Sequence, residues 1–286
     1  MTSGNIVVIG PTEAGKTTYL AALSYFKEHK QGKKLFTVNP QNPDTRKLAE
    51  KADNILRQGM DFEPNELPDG IESIYHLPID ELPGYSFGIT AKPYWYSSAE
   101  TFQLTARDYP GEVFEAIASP SSRKPIHEDF INECFTDVIG CLIMLTGWEP
   151  GTDNFYNRIM KQFLKLMDER GRSRDLKLAI VMSKCERGEI WPGRLDPEID
   201  LFAVHLRETT KTLRAKVIPQ NLRFFALSTF GVLGRDNPRP NREDRMKGEE
   251  PASVIRQPNS WQPYNLIEPL YWLSKKPNQG AKNESV

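Results

Sequence analysis

The sequence predicts an α/β fold: a mainly parallel six-stranded sheet with one antiparallel strand and helices on both faces. Three observations predict it. Short apolar runs over 138–145 and 176–182 have the length and branching of buried strands. Segments with helical spacing alternate with them; 154–170 places Phe155, Ile159, Phe163 and Leu166 on one face. Finally, Gly10-Pro11-Thr12-Glu13-Ala14-Gly15-Lys16-Thr17 matches G-x-x-x-x-G-K-[ST], between the apolar run Ile6-Val7-Val8-Ile9 and a helical stretch.

Each element follows in order. The first strand lies near Asn5–Ile9, and the first helix runs over 16–29 until Gly32-Lys33-Lys34 breaks it. A helix over 44–58 has Asp44 as its N-cap and Gly59 as its stop. Residues 61–81 hold seven acidic side chains and no lysine or arginine, which predicts a solvated loop with one extended piece at 71–79. Alternation over 85–96 and 101–107, joined by Ser97-Ser98-Ala99-Glu100, predicts an antiparallel hairpin. Further helices are expected over 126–135 and 198–216, and a sixth strand over 222–227. Residues 229–262, rich in proline, arginine and asparagine, read as a long loop before an amphipathic helix over 264–275. The organisation expected is one domain over 1–276, with an acidic insertion near 59–84, the long loop 229–262, and a disordered polar tail at 277–286.

Composition narrows the function classes. A chain of 286 residues with 38% hydrophobic and 26% charged residues can bury a large core. A net charge of -1 gives no global attraction to nucleic acid, and no apolar run reaches membrane-span length. Met1-Thr2-Ser3-Gly4 leads straight into the first strand, so no signal peptide and a cytoplasmic location are expected. Cys134, Cys141 and Cys185 read as reduced thiols, and His29, His76, His127 and His205 show no metal spacing. Arg207, Lys211 and Arg214 share a helix face, which reads as a solvated surface; neither nucleic acid nor integral membrane contact is expected.

The glycine-bearing loop carries the chemistry. Its glycines let successive backbone N–H groups turn inward into an anion nest, and the following helix points its positive end at the same place. The phosphate-binding set is Gly10, Glu13, Ala14, Gly15, Lys16, Thr17 and Thr18. Lys16 brings a cation for β- and γ-phosphates, and Thr17 a hydroxyl for Mg²⁺. Asp108-Tyr109-Pro110-Gly111 is D-x-x-G after the hairpin. Asp108 can hold Mg²⁺ opposite Thr17, and Gly111 lets its N–H approach a γ-phosphate.

Ser183-Lys184-Cys185-Glu186 follows the next buried strand and resembles the guanine-reading box N-K-x-D. A carboxylate at Glu186 would accept from guanine N1–H and the 2-amino group, with Lys184 along the base plane. Ala226-Leu227-Ser228 closes the next strand, where a small residue's backbone can donate to guanine O6, and Thr229 completes the nucleotide-binding set. These four elements, over about residues 5 to 275, resemble the P-loop GTPase superfamily that includes the Ras-like enzymes. The resemblance implies a three-layer G domain, GTP/GDP and Mg²⁺ as cofactors, and catalysis by Lys16, Thr17, Asp108, Gly111 and Glu112. Asp108-Tyr109-Pro110-Gly111-Glu112, the Ser183-Lys184-Cys185-Glu186 variant and the closing helix with Pro269 and Trp272 are most similar to the bacterial double-GTPase family. That implies a protein effector or partner GTPase, in a homo- or hetero-oligomer.

The chain departs from the pattern in four places. Ser183 replaces the asparagine of the box, and Glu186 is one methylene longer than aspartate. Glu112 stands where Ras-like enzymes orient water with glutamine, and Thr12 where they keep glycine. Both latter changes imply slow intrinsic hydrolysis that a partner could accelerate. No switch I threonine is singled out among Thr37, Thr45 and Thr90. Two other readings stand beside this one: an ATP-dependent P-loop enzyme such as a small-molecule kinase, and a nucleotide-bound interaction module with little turnover.

Overall fold

A computed structural model of the chain describes residues 5–25, 28–31, 34–58, 82–93, 99–107, 109, 111–147, 150–234, 238–247 and 250–275. The order is β1 (Asn5–Ile9), α1 (Lys16–Tyr25), β2 (Glu28–Gln31), β3 (Lys34–Pro40), α2 (Pro43–Asp53), β4 (Gly84–Pro93), β5 (Glu100–Arg107), α3 (Gly111–Glu115) and α4 (Pro125–Phe135). There follow β6 (Val138–Leu145), α5 (Thr152–Glu169), β7 (Lys177–Met182), α6 (Ala203–His205), α7 (Arg207–Lys216), β8 (Leu222–Ala226), β9 (Val232–Leu233), β10 (Arg239–Pro240), β11 (Arg242–Lys247), β12 (Glu250–Ile255) and α8 (Glu268–Ser274).

β1, β6, β7 and β8 form a parallel sheet in that order. Their side chains are apolar on both faces, as parallel strands between two helix layers must be. Cys141, Ile143 and Leu145 of β6 and Leu178, Ile180 and Met182 of β7 join one core with α4, α5 and α7. The intervening Leu142, Met144, Ala179 and Val181 join a second core with α1, α2 and α8. This period-two division produces the three-layer α/β architecture. No helix among the described residues is long and apolar enough to cross a membrane.

The strand inventory differs from one six-stranded sheet. β2, β3, β4 and β5 form a separate antiparallel sheet. The all-polar Glu28–Gln31 has no apolar stripe to bury as a helix; α1 ends at Tyr25, and Glu28–Gln31 pairs with β3 instead. Phe36 and Val38 supply the alternation that marks β3, and both are buried. β5 runs beside β1, where the Thr105 hydroxyl donates to Asn5 Oδ1 at 3.3 Å.

Other boundaries shift for local reasons. The N-cap of α2 is Asn42, not Asp44: Asn42 Oδ1 accepts from Thr45 N–H at 2.9 Å, with Pro43 in the first turn. Asp44 instead accepts from Gly84 N–H. The 198–216 helix is broken at Leu206 (φ -126°, ψ 53°), where α7 starts afresh. The 229–262 stretch contains two small antiparallel pairs, β9 with β10 and β11 with β12. Buried Val254 and Ile255 tie the second pair to the body, and Arg242–Asp244 and Arg245–Glu243 ion pairs satisfy its charges. The acidic segment and its extended piece at 71–79 lie outside the described residues, as does the tail; of the insertion's far end, Leu82 is buried and Gly84 opens β4.

Candidate functional site

The carboxyl ends of the parallel strands converge on one edge, the place where open α/β sheets bind ligands. The loop from Ile9 to Lys16 starts there. A β-carbon on Gly10 would lie 2.4 Å from the Met144 carbonyl oxygen, so only glycine lets the loop leave β1 this close to β6. Glu13 (φ 60°) and Gly15 (φ 84°) are both left-handed, which turns the intervening amides into a concave nest. Ala14 is fully buried, and its N–H donates to Pro11 O. Lys16 Nζ bends back over the loop and donates to Gly10 O at 2.8 Å and Pro11 O at 2.9 Å. Thr17 and Thr18 sit half-buried in the first turn of α1. The helix is held from behind by the buried Tyr19 hydroxyl, which donates to Leu266 O at 2.7 Å.

Of the D-x-x-G residues, Asp108 and Pro110 lie outside the described residues. Gly111 is buried hard against the loop: a β-carbon there would sit 1.8 Å from Thr12 N and 2.2 Å from Thr12 Cα. Glu112 is exposed in the first turn of α3. Glu115, at the end of the same helix, accepts from Thr12 N–H at 3.3 Å. The segment is braced by Tyr109, whose hydroxyl donates to Glu133 Oε2 at 2.9 Å while Arg107 Nε donates to Glu133 Oε1 at 2.9 Å. Burial, followed by the Glu133 charge, pushes the Tyr109 phenol well above its ordinary range.

The β7 box faces the loop from the other side. Ser183 donates both its N–H (2.9 Å) and its hydroxyl (3.2 Å) to Leu145 O, so it anchors to β6 rather than to the loop. Lys184 adopts φ 56°, and its Cε stands 4.0 Å from a β-carbon built on Gly15. Burial, then the Arg242 and Arg187 charges, lowers its proton affinity. Glu186 is 1% exposed, and neither carboxylate oxygen has a hydrogen-bond partner. Burial raises its proton affinity; the nearby Ser228 hydroxyl, its own backbone, and the Arg242 and Arg187 charges oppose that rise. The Ser228 oxygen instead accepts from Gly231 N–H at 2.7 Å.

The Ser228 backbone has other partners than an incoming base. Its N–H donates to Tyr264 O at 3.1 Å and its carbonyl accepts from Tyr264 N–H at 2.8 Å. The Leu227 N–H is also taken, by Met182 O. Of the backbone expected to donate to guanine O6, the Leu227 and Ser228 amides are therefore committed. Thr229 is buried, with its carbonyl accepting from Trp261 Nε1 at 2.8 Å. The three threonines weighed for switch I are tied elsewhere. Thr45 Oγ1 accepts from Ser86 N–H, Thr90 and Thr101 share a hydroxyl contact of 3.1 Å, and Thr37 faces Thr90 in the β3–β4 register.

The structure thus gathers Gly10 through Thr18, Gly111, Ser183, Lys184, Glu186 and Thr229 at one edge. It adds two residues that sequence reasoning passed over, Glu115 and Arg187, and a third, Arg242, that the sequence offers only as part of a basic lid over 235–245 in the ATP-dependent reading. Arg242 comes from the segment read as a loop, and no local pattern marks Glu115 or Arg187.

No protein-family model matches this chain, and no curated protein matches it. Solved structures with a similar course include nucleolar GTP-binding protein 1 from Plasmodium falciparum, at 9% identity, covering 79% of this chain and 77% of that one, TM-score 0.34. Bacterial selenocysteine-specific elongation factor EF-Sec is similar at 11% identity over 80% of this chain but 26% of its own, TM-score 0.34. The SRb-GTP/SRX complex from Chaetomium thermophilum contributes a chain at 14% identity, with 82% and 95% covered and a TM-score of 0.31. At these scores the likeness is broad, and no assignment follows from it.

Proposed function

We propose that this chain is a guanine-nucleotide switch: one G domain over 1–276 that binds GTP with Mg²⁺ and hydrolyses it slowly to GDP and phosphate. One observation carries the reading. Glu186 is a buried carboxyl with both oxygens unpartnered, beside a lysine stem packed on the phosphate loop. An isolated buried acceptor is costly unless something donates to it. Guanine offers two adjacent donors, N1–H and the 2-amino group, that a single carboxylate can accept. Adenine offers no such pair.

In this reading Lys16 neutralises β- and γ-phosphate charge and leaves the Gly10 and Pro11 carbonyls to do so. Thr17 and Asp108 hold Mg²⁺, and Gly111 meets the terminal phosphate. Bound Mg²⁺ supplies charge neutralisation for the phosphates during transfer. Segments 59–90 and 108–125 carry the signal to a protein effector or partner GTPase, in the manner of the bacterial double-GTPase family of conflict systems. The carboxyl is closed to solvent in this conformation, so base entry must move its cover.

The test is to purify the chain, release any bound nucleotide and identify it against standards, then compete a fluorescent nucleotide with GTP and ATP. Guanine nucleotide and a strong GTP preference are expected, with binding severely weakened by Lys16→Ala. Adenine nucleotide, or Lys16→Ala binding GTP as tightly as wild type, overturns the reading.

A reading with little turnover draws on a separate observation: an exposed carboxylate, Glu112, follows Gly111, which is packed on Thr12 at this lip. Single-turnover phosphate release, with and without a candidate partner, separates a nucleotide-bound interaction module from a working GTPase.

A further inference from the structure

The phosphate cradle has two ends, and they meet different neighbours. At Gly15 the loop is flanked by Lys184 of the base box. At Thr12 it is flanked by Gly111 and by the carboxylate of Glu115. A nucleotide whose base lies toward Lys184 and Glu186 runs its phosphates from the first end toward the second. The last phosphate to be added is therefore the one that approaches Thr12.

That end is taken by an anion. Glu115 accepts from the Thr12 N–H at 3.3 Å, the same kind of contact that a phosphate oxygen would make with a loop amide. The contact spans 103 residues of sequence and is not a local turn. Gly111 fixes the start of α3 directly on Thr12, so the five-residue helix holds its last residue over the loop's lip.

We propose that Glu115 sets the preference between diphosphate and triphosphate, as a built-in carboxylate that competes with the terminal phosphate for the Thr12 end of the cradle. The proposal rests on the guanine-nucleotide reading above and goes beyond it, because it assigns a resident competitor. A diphosphate ends short of Thr12 and leaves Glu115 in place. A triphosphate brings like charge against the carboxylate and must displace it, and α3 moves with it. Ligand binding is thereby coupled to the position of the segment that follows Asp108.

The experiment uses the full chain, stripped of nucleotide, as wild type, Glu115→Gln and Glu115→Ala. GDP and a non-hydrolysable GTP analogue are titrated with Mg²⁺ by calorimetry. Both variants should bind the analogue about threefold to tenfold more tightly than wild type, a size typical of removing one exposed like-charge contact. GDP affinity should stay within about twofold. An unchanged analogue-to-GDP ratio in both variants, in a wild type that binds both ligands, overturns the competitor role and leaves the nucleotide reading standing. A wild type that binds neither ligand overturns both. Amide exchange at Thr12 gives a ligand-free readout: Glu115→Ala, which lacks an acceptor, should exchange faster there, and unchanged protection in that variant counts against the contact.

Discussion

Lys184 lies across Gly15, its Cε 4.0 Å from where a β-carbon on that glycine would stand. That is ordinary contact distance, so the space beside the loop admits a methyl group. The backbone does not, because Gly15 holds φ 84°. Gly15→Ala should therefore lose about 1–2 kcal/mol of stability through backbone strain. Adding Lys184→Ala should not restore it. Denaturant titration of both single variants and the double variant checks this, and a rescue would mean that the lysine stem, not φ, makes the position glycine.

Glu186 gives a pH-dependent prediction. Its buried carboxyl has its proton affinity raised in the native chain above the ordinary 4.5. Between that value and the raised native one, the folded state holds the extra proton, so stability falls as pH rises. Above the native value the cost of an unpartnered buried charge is fully present. Glu186→Gln should then melt higher than wild type at pH 7.5 without nucleotide, by up to about 1–3 kcal/mol. The gap should close near pH 4.5. Thermal melts of both proteins at the two pH values decide it, and a gap independent of pH would show that the carboxyl titrates in the folded chain as it does in the unfolded one.

How far the sequence revealed this site depends on whether a residue's role is local. The loop from Gly10 to Thr17 was legible because its spacing and its flanking strand and helix are adjacent in the chain. The 138–145 and 176–182 strands were legible because burial on both faces leaves an unbroken apolar run. Position 28–31 was not, because a polar edge strand and a polar helix end look alike until β3 is there to pair with. Glu115 on Thr12, and Arg242 near Glu186, join residues about a hundred and about fifty positions apart, and neither has a periodic signature. Ser228 follows β8, and its amide partner Tyr264 could not be read from spacing.

Gly111 tests the other end of the cradle. A β-carbon there meets the Thr12 backbone, not merely its side chain, at 1.8 Å and 2.2 Å. Gly111→Ala should push α3 off the loop and lose about 1–3 kcal/mol, the range for forced overpacking. Thr12→Gly should fail to relieve it, since the clashing nitrogen and α-carbon remain. Protease sensitivity near 111–115, together with melting temperature, reports the displacement; a rescued double variant would place the clash in the Thr12 side chain.

Asp153 caps a helix it does not belong to. Its carboxylate accepts from Glu208 N–H at 2.8 Å and Thr209 N–H at 2.9 Å, and from the Thr209 hydroxyl at 2.8 Å. Leu206, at the cap position of α7, offers no side-chain acceptor. Asp153→Ala should cost about 1–2 kcal/mol, the range for a lost N-cap, and Asp153→Asn distinctly less because one acceptor oxygen remains. Chemical denaturation orders the three proteins, and equal losses for both variants would show that charge alone matters.

Lys177 closes the far side of the molecule and carries a second pH effect of opposite slope. It opens β7, is 4% exposed, and its Nζ donates to Trp272 O at 2.5 Å and Lys275 O at 3.1 Å at the end of α8. The ammonium also stands 4.0 Å from the Trp272 ring centroid. Burial, then the Arg223 charge, lowers its pKa from 10.5 to about 8. Between about pH 8 and 10.5 the unfolded chain keeps a proton that the native chain has released, so this group's contribution to stability rises with pH. Below about 8 the cost of holding the buried cation is fully present. Lys177→Met removes both the titration and the two hydrogen bonds, so the pH-independent loss and the pH-dependent gain separate. The melting temperature of wild type should move in its favour relative to Lys177→Met between pH 7.5 and pH 10. A constant difference across that window would mean that the lysine stays protonated and that the helix-end carbonyls stabilise its charge fully.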